Sequence, residues 1–231
     1  MNVYAASDLH GNLPDVPGDA DLLILGGDIC PDFRPYGNRG GGLVDQGGTQ
    51  QANWLDRDFR YWLTTFSCPV VATWGNHDFV GERSFLVPRL RWAMLKDAEA
   101  IVSDLGVYGT PWVPGLPYWA FYGTPRALEA RAEAIPEGLD ILITHGPPHR
   151  VGDYIPTSEK QRNKYGNYGG MHVGDPTLNV AIERARPKAV ICGHIHEARG
   201  SYYLDGIPVY NVAAVDQNYV LHDEPWTRID L

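Results

Sequence analysis

Short, uninterrupted runs of apolar residues recur along the 231-residue chain and predict its β-strands. Successive rather than alternate positions are apolar within each run, which is typical of strands that are covered on both faces. Turn-forming residues such as Gly, Pro and Asp bound most of these runs. We therefore expect buried strands at residues 3–6, 22–25, 70–73, 100–103, 139–144, 189–192 and 207–212.

A helical pattern separates the second and third of these runs. In residues 49–64 the large apolar side chains recur with a period of about 3.6 residues, so they share one face of a helix. Asp56, Arg57 and Arg60 fall off that face and are expected to meet solvent. The apolar face comprises Trp54, Leu55, Phe59, Trp62 and Leu63.

Two further helices are predicted by their first residues. Thr124-Pro125 and Asp175-Pro176 each place an N-cap residue before a proline at the first helical position. These pairs predict helices over residues 125–134 and 176–186.

Alternating strands and helices indicate an α/β fold. From Ser201 onward the pattern is rich in strands and carries no evident helix, so a second sheet packed on the first is expected. No Ser/Gly/Pro-rich linker divides the chain into two self-contained halves, and its length suits one large domain. We therefore expect a single domain over residues 1–231.

Charge and composition disfavour some classes of function. A net charge of −9 and a pI near 5.3 argue against a general nucleic-acid binder, so no stable nucleic-acid complex is expected. No stretch approaches the roughly 18 apolar residues that span a bilayer, and residues 2–6 begin with a strand-like run rather than a signal peptide. Cys30, Cys68 and Cys192 are too few for a disulfide framework, which favours a reducing, cytoplasmic location.

Small polar clusters follow several of the apolar runs. Because residues just past the carboxyl ends of parallel strands converge on one edge of a sheet, we expect these clusters to meet in one cleft. Alternate residues at a strand end project to the same side, which suits Asp-x-His and His-x-His to metal binding. The clusters are Asp8-Leu9-His10, Gly26-Gly27-Asp28, Gly75-Asn76-His77-Asp78, Thr144-His145-Gly146 and Gly193-His194-Ile195-His196.

Carboxylate, amide and imidazole groups in this combination fit a dinuclear metal site. Two divalent cations about 3.5–4 Å apart hold a hydroxide between them and clamp phosphoryl oxygens during in-line displacement. Each cation needs oxygen or imidazole ligands, and one carboxylate must bridge both. Taken singly, each of these histidines is also typical of an ordinary core or surface position. The joint pattern is what indicates a phosphoesterase.

The clusters resemble the signature of the calcineurin-like metallophosphoesterases, D-x-H, G-D, G-N-H-D/E, H and G-H-x-H, over positions 8–196. The resemblance implies a four-layer α/β/β/α sandwich of two mixed sheets flanked by helices, with two metals at one edge. It also implies that His77 is not a ligand but stabilises the transition state or protonates the leaving oxygen. The implied ligands are Asp8, His10, Asp28 and His196 on one metal and Asp28, Asn76, His145 and His194 on the other, with Asp28 bridging.

A narrower resemblance involves Thr144-His145-Gly146-Pro147-Pro148 and Cys192-Gly193-His194-Ile195-His196-Glu197. These motifs are similar to the MPPED branch, which is associated with class III cyclic nucleotide phosphodiesterases. Some members of that branch replace the histidine equivalent to His194. This chain keeps it, so both metal positions are expected to be filled. Protein Ser/Thr phosphatases continue the second motif as G-D-x-V-D-R-G. Here Asp28 is followed by Ile29-Cys30-Pro31, which disfavours a phosphoprotein phosphatase.

Other polar residues near the motifs leave alternatives open. Asp78 follows His77 and either orients its ring as part of the catalytic apparatus or caps the turn that follows. His149, four residues past the fourth cluster, either touches substrate or is a solvated loop residue.

The segment between His145 and the helix near Pro176 is rich in glycine, tyrosine and cationic residues. Tyrosine faces stack on nucleobases and cations attract phosphate. We expect this segment to lie over the metals and select nucleotide-like substrates without providing a ligand. The alternative is a surface loop with no role in function. Together with His149, the candidate substrate-binding residues are Tyr154 and Tyr168.

These patterns together predict a hydrolase that acts on a small phosphodiester, with a 2′,3′- or 3′,5′-cyclic nucleotide as the expected substrate. The expected cofactors are two divalent ions, Mn²⁺ first, and Fe, Co, Ni or Zn also suit mixed nitrogen and oxygen ligands. A phosphomonoesterase or a nuclease of the same fold is the alternative enzyme. A non-catalytic interaction module is the alternative of another class, and it would be expected to have lost ligands that this chain keeps.

Overall fold

Two β-sheets form the centre of the fold in the computed structural model, which describes residues 1–33, 47–156 and 170–231. The strands of the first sheet are β1 (Val3–Ala6), β2 (Leu22–Leu25), β3 (Val70–Thr73), β4 (Ala93–Leu95) and β13 (Thr227–Ile229). Their spatial order is β13-β1-β2-β3-β4. Strands β1 to β4 run parallel, and β13 pairs antiparallel with β1.

The second sheet has four parallel strands at its centre and an antiparallel strand at each edge. Its strands are β5 (Ala98–Val102), β6 (Leu105–Thr110), β7 (Ile141–Thr144), β10 (Ala189–Cys192), β11 (Gly200–Leu204) and β12 (Ile207–Asn211). The order is β11-β12-β10-β7-β6-β5, with β5 and β11 antiparallel to their neighbours. A separate hairpin pairs β8 (Tyr154–Ile155) with β9 (Met171–His172).

Alternate residues of each strand point to opposite faces, and this sorts the apolar side chains into separate cores. Leu22 and Ile24 of β2 lie in the same cluster as Ile141 and Ile143 of β7, which places that cluster between the two sheets. Leu23 of β2 instead joins a cluster on the outer face of the first sheet. Apolarity at successive positions is therefore explained by burial of the strands on both faces, as predicted.

Helices cover both outer faces, which confirms the predicted four-layer α/β/β/α sandwich. On the first sheet, α1 (Gly48–Trp54), a π-helical turn (Leu55–Phe59) and α2 (Arg60–Trp62) form one continuous helical run. On the second sheet lie α3 (Pro125–Ala134) and α4 (Pro176–Ala185). Short 3₁₀ helices occur at Phe79–Glu82, Ser84–Leu86 and His196–Ala198. Within the described ranges, no helix has the length and apolarity needed to cross a membrane.

The predicted N-caps of α3 and α4 are confirmed. The Thr124 hydroxyl accepts from the amide of Ala127 at 3.4 Å, and the Asp175 carboxylate accepts from the amide of Thr177 at 2.8 Å. Each contact satisfies an amide that has no partner within its helix, which explains why these helices begin where the sequence predicts.

Some strands differ from the predicted ones. The strand predicted at 100–103 is β5, which begins at Ala98 and ends at Val102, and the run at 139–144 forms a strand only from Ile141. The strands after Ser201 do not form a sheet of their own, because β11 and β12 extend the second sheet whereas β13 joins the first. The sequence pattern missed β4, β6, β8, β9 and β13, and it predicted no separate run for β11. β6 contains two glycines, which weaken a strand pattern, and β4 and β13 have only three residues each.

Candidate metal centre

The five polar clusters meet where the parallel strands of both sheets end. The loops that carry them are joined by backbone hydrogen bonds, from Asp8 to Gly27 and from Gly193 to His145, both at 2.9 Å. The amide of Ser7, just past β1, donates at 2.9 Å to the carbonyl of Val212, just past β12 of the second sheet. These bonds hold the ends of the two sheets together, so residues that are distant in sequence share one site.

Four of the predicted metal ligands have left-handed backbone conformations. The φ angles are 56° at Asp8, 45° at His10, 49° at Asp28 and 68° at His194. Positive φ is uncommon for residues other than glycine, and such strained residues concentrate at functional sites. The backbone therefore turns sharply at these positions and directs their side chains into the shared cleft.

The first group of candidate ligand atoms belongs to Asp8, His10 and His196, all within 4.8 Å of one another. His196 Nε2 lies 3.4 Å from Asp8 Oδ1, and the Nδ1 of the same ring donates to the carbonyl of Asp216 at 3.1 Å. Because the carbonyl fixes the proton on Nδ1, Nε2 is left to face the site. Asp8 and His10 lie in the loop after strand β1 of the first sheet, whereas His196 lies after strand β10 of the second sheet.

The second group comprises Asp28, His145 and His194, again within 4.8 Å of one another. Asn76 joins it, since its Oδ1 lies 2.9 Å from His145 Nε2. His145 Nδ1 donates to the carbonyl of Gly26 at 3.0 Å, which orients this ring as well. Asp28 and Asn76 lie in loops after strands β2 and β3 of the first sheet, and the two histidines lie after strands β7 and β10 of the second sheet.

Asp28 lies between the two groups. Its Oδ2 is 3.3 Å from His145 Nε2 in the second group and 3.9 Å from His10 Nε2 in the first. Its Oδ1 accepts from the backbone amide of His77 at 2.7 Å. One carboxylate oxygen is thus held by the protein, and the other faces ring nitrogens on both sides.

His10 shows that the site suits a cation. Its side chain is only 5 % exposed, yet neither ring nitrogen has a hydrogen-bond partner among the described residues. Burial, followed by the charge of His77, lowers the pKa of His10 to about 3. Burial and the charge of His145 likewise lower the pKa of His194 to about 3. Both rings are therefore neutral near pH 7 and have lone pairs available for a metal.

In two carboxylate–histidine pairs, each partner favours the charged form of the other. The pairs are Asp8 with His196 and Asp28 with His145. Burial opposes ionisation of Asp8, but the hydrogen bond from His196 lowers the pKa of this carboxyl to about 2. Burial also disfavours a charged His145, but the charge and hydrogen bond of Asp28 raise the pKa of this imidazole to about 9. A cation bound here would take the place of the His145 proton.

His77 lies at the rim of the first group. His77 is 8 % exposed, and its ring centroid is 4.8 Å from that of His10. Its Nδ1 lies 3.4 Å from Asp32 Oδ2, but the two atoms lack hydrogen-bond geometry. His77, His10 and Asp28 also form a set of candidate ligand atoms within 4.8 Å. The geometry therefore allows His77 to be a ligand as well as the acid that the resemblance implies.

Asp78 is buried and its carboxylate contacts backbone amides. Oδ2 accepts from Ile29 at 3.2 Å and from Gly75 at 2.9 Å, and Oδ1 accepts from Cys30 at 2.9 Å. Burial, followed by the charge of Asp28, raises the pKa of Asp78 to about 6. These contacts join the loops after β2 and β3. They favour the turn-stabilising alternative over the prediction that Asp78 orients the ring of His77.

The predicted substrate-binding residues lie in another grouping. His149 Nδ1 is 3.6 Å from Asp153 Oδ2, and the Tyr154 ring centroid is 5.1 Å from that of His172. His172 Nδ1 lies 2.6 Å from Asp153 Oδ1, so the buried carboxylate joins both imidazoles. Tyr168 lies outside the described residues, as do residues 157–169 of the segment predicted to cover the metals. The substrate-binding role of these residues stays a prediction.

Two aromatic residues near the site were not predicted. The Trp119 ring centroid is 4.2 Å from that of His77, and the Tyr219 ring centroid is 4.6 Å from that of His10. Both follow irregular stretches with no recognisable motif. Only the abundance of tryptophan and tyrosine outside periodic segments gave any signal for them.

A family model described as calcineurin-like phosphoesterase matches residues 1–198, which include every candidate ligand. The chain belongs to this family. The His and Asp groups of the metal centre agree with the metal dependence of this family.

Known proteins similar to this metallophosphoesterase support the narrower resemblance as well. Metallophosphoesterase domain-containing protein 1 of Homo sapiens is 38% identical over 128 residues, which are 54% of this chain and 36% of that protein. A UPF0046 protein of Caenorhabditis elegans is 33% identical over 133 residues, 57% of this chain and 31% of that protein. The matched region is thus about a third of each relative's length. The predicted similarity to the MPPED branch is confirmed.

A solved structure shares the fold. The crystal structure of TT1561 of Thermus thermophilus aligns with a TM-score of 0.52 at 15% identity, over 92% of this chain and 88% of that chain. At this identity the likeness concerns the fold alone.

Proposed function

We propose that this metallophosphoesterase hydrolyses small phosphodiesters at a site for two divalent cations, with cyclic nucleotides as its natural class of substrate. The position of Asp28 carries the proposal. Its Oδ2 lies between His10 and His145, so one carboxylate oxygen faces both ligand groups. A pair of cations about 3.5–4 Å apart requires a carboxylate in such a position.

In this proposal Asp28 would serve both cations, and six other side chains would complete their ligand sets. When bound, the two cations would supply an activated water and neutralise charge on the phosphoryl oxygens. Mn²⁺ is the first candidate, and Fe, Co, Ni and Zn also suit mixed nitrogen and oxygen ligands. The first set is completed by Asp8, His10 and His196, and the second by Asn76, His145 and His194.

His77 is the proposed acid for the leaving oxygen. The backbone amide of His77 donates a hydrogen bond to Asp28, and its ring contacts Trp119. These contacts hold the ring beside the first ligand group. A histidine in this place can hold a proton and release it to the departing alkoxide. On the substrate side, His149 and Tyr154 remain the proposed contacts for the part of the substrate away from phosphorus.

Several observations support a small diester over other substrates. The relative with 38% identity is a metallophosphoesterase domain-containing protein 1, and the MPPED branch that it represents is associated with cyclic nucleotide substrates. The net charge of −9 disfavours a nuclease, which must approach a polyanion. The single-domain organisation over 1–231 is part of the proposal, because each ligand group takes residues from both sheets. A cytoplasmic location is also proposed, supported by three cysteines that are buried and free.

Metal titration with two test substrates examines the proposal. Metal-free protein is titrated with Mn²⁺ while bound metal and turnover of bis-p-nitrophenyl phosphate and p-nitrophenyl phosphate are followed. We expect activity to rise until two equivalents are bound, with the larger kcat/KM for the diester. Full activity at one equivalent would contradict the dinuclear site, and preference for the monoester would favour the phosphomonoesterase. Two bound equivalents without turnover of these esters or of cyclic nucleotides would favour the interaction module.

A further inference from the structure

The ring of Tyr219 lies against the first ligand group. Its centroid is 4.6 Å from the ring of His10, 5.3 Å from that of His196 and 6.4 Å from that of His77, at interplanar angles between 60° and 80°. Tyr219 is half-buried, so part of the ring also faces solvent. A partly exposed aromatic side chain therefore borders the first ligand group.

A tight turn at residues 216–220 fixes the place of this ring. The Asp216 carboxylate accepts from the amides of Asn218 at 2.7 Å and Val220 at 2.9 Å. The backbone of Asp216 also bonds to Val220 and Tyr219, each at 2.9 Å. Tyr219 itself has a φ of 64°, a conformation that a bulky residue rarely adopts. Because several hydrogen bonds hold this strained backbone conformation, the turn fixes the direction in which the Tyr219 ring points.

The same turn orients a candidate metal ligand. The carbonyl of Asp216 accepts from His196 Nδ1 at 3.1 Å, which leaves Nε2 directed toward Asp8. One short turn thus sets both the ring of His196 and the ring of Tyr219. Trp119 provides a second aromatic surface next to His77. The first ligand group and His77 are therefore bordered by two aromatic side chains that are not candidate ligands.

We propose that Tyr219 contacts the substrate and selects phosphodiesters that carry a planar base, and that Asp216 is the positioning residue for this contact. The inference rests on the proposed phosphodiesterase function. A partly exposed ring next to the metal centre offers a surface on which a nucleobase can stack. Stacking on an aromatic side chain is sequence-tolerant, so the preference is for a base in general and not for one base.

The test compares a cyclic nucleotide with the matching ribose cyclic phosphate that lacks the base. Tyr219→Leu removes the aromatic face and keeps an apolar side chain. We expect Tyr219→Leu to lower kcat/KM for the nucleotide by about 10-fold more than for the base-free compound, because stacking of one base on an aromatic ring contributes a binding energy of about this size. The loss should appear mainly as a higher KM. Tyr219→Phe keeps the ring and is expected to keep the ratio. The matched control is Tyr61→Leu, at a tyrosine that is 74% exposed on α2.

Asp216 is tested by two variants. Asp216→Asn keeps an oxygen that can accept from the two amides, and Asp216→Ala removes it. We expect Asp216→Ala to reduce the nucleotide preference about as much as Tyr219→Leu does, and Asp216→Asn to restore it. Equal loss in Asp216→Ala and Asp216→Asn would contradict the positioning role.

Metal content and binding separate this inference from the proposed function. Tyr219→Leu is expected to retain the metal content of the wild type; loss of metal, or an unchanged ratio between the two diesters, would overturn the inference. If the wild type hydrolyses neither diester, the proposed function fails, and calorimetry on Mn²⁺-loaded protein decides the role of Tyr219. AMP is then expected to bind more tightly than ribose 5-phosphate, and Tyr219→Leu to reduce that affinity ratio by about 10-fold. An unchanged affinity ratio would overturn the inference.

Discussion

The backbone amide of His194 donates to both carboxylate oxygens of Asp8, at 3.1 and 2.9 Å, although the two residues are 186 positions apart. Gly193 makes this approach possible. A Cβ atom at residue 193 would collide with Asp8 Oδ2 and with the Ser7 side chain. The loops after β1 and β10 therefore fit together only with a hydrogen atom at this position.

Gly193→Ala is expected to displace Asp8 and weaken metal binding. Overpacking of a tight contact costs about 1–3 kcal/mol, so the melting temperature of the metal-free protein should fall by several degrees as well. Metal content and thermal unfolding measure the two effects. Gly18→Ala is the matched control, because a Cβ atom there meets nothing within 4 Å. If Gly193→Ala behaves like the control, the contact with Asp8 is not critical.

Asp28→Asn should abolish dinuclear binding while keeping the shape of the side chain. The amide oxygen can still accept from His77, but it carries no charge to bridge two cations. We expect at most one equivalent of metal and a kcat/KM lower by about 10²–10³-fold or more. Elemental analysis and kinetics provide the measurement, with the exposed Asp58→Asn as the control. Two equivalents with normal turnover would refute the bridging role.

His77→Gln distinguishes an acid from a ligand. If His77 protonates the leaving oxygen, kcat should fall by about 10²–10⁴-fold while both equivalents of metal stay bound. A leaving group of low pKa needs little protonation, so the defect should be smaller for a p-nitrophenyl ester than for a cyclic nucleotide. Loss of one equivalent of metal would instead assign His77 to the set that it forms with His10 and Asp28.

Asp78→Ala tests whether this carboxylate stabilises the loops or takes part in catalysis. Removing it leaves three buried amides without an acceptor, at about 1–3 kcal/mol for each unsatisfied group. A loss of about 3 kcal/mol would lower the melting temperature of a chain of this size by about 6–12 °C. Metal-free protein is used so that bound cations do not mask the change. A normal melting temperature combined with a lower kcat per bound metal would support the catalytic role.

Much of the fold follows from local signals in the sequence. The caps at Thr124 and Asp175 act within a few residues, and both predicted helices begin where those caps require. The runs predicted for β2 and β3 coincide with the observed strands, because burial on both faces keeps every position apolar except the buried Thr73 at the end of β3. The polar clusters were expected to converge because they follow strand ends, and the structure brings them together.

Other features depend on packing that no local pattern records. β6 contains Gly106 and Gly109, and a Cβ atom at Gly109 would collide with the side chain of Leu95. Close packing between the sheets thus selects glycine against its strand propensity. Tyr219 reaches His10 across more than 200 positions, through a turn held by Asp216. Both roles considered for Asp78, orienting His77 or capping the following turn, were local, whereas its oxygens accept from the amides of Cys30 and Ile29, 48 and 49 positions away, as well as from Gly75.

Each candidate ligand group draws residues from both sheets, and this has a consequence for the order of folding. Asp8 and His196, or Asp28 and His145, meet only after the two sheets have docked. Contacts between residues so far apart in sequence carry a large loop-closure entropy and form late. A chain with only its first sheet formed would lack the imidazoles of the second, so it would hold no pair of cations. We therefore expect metal to bind only after the slowest refolding phase is complete. The amount of metal-loaded protein should then measure how much of the chain has both sheets assembled.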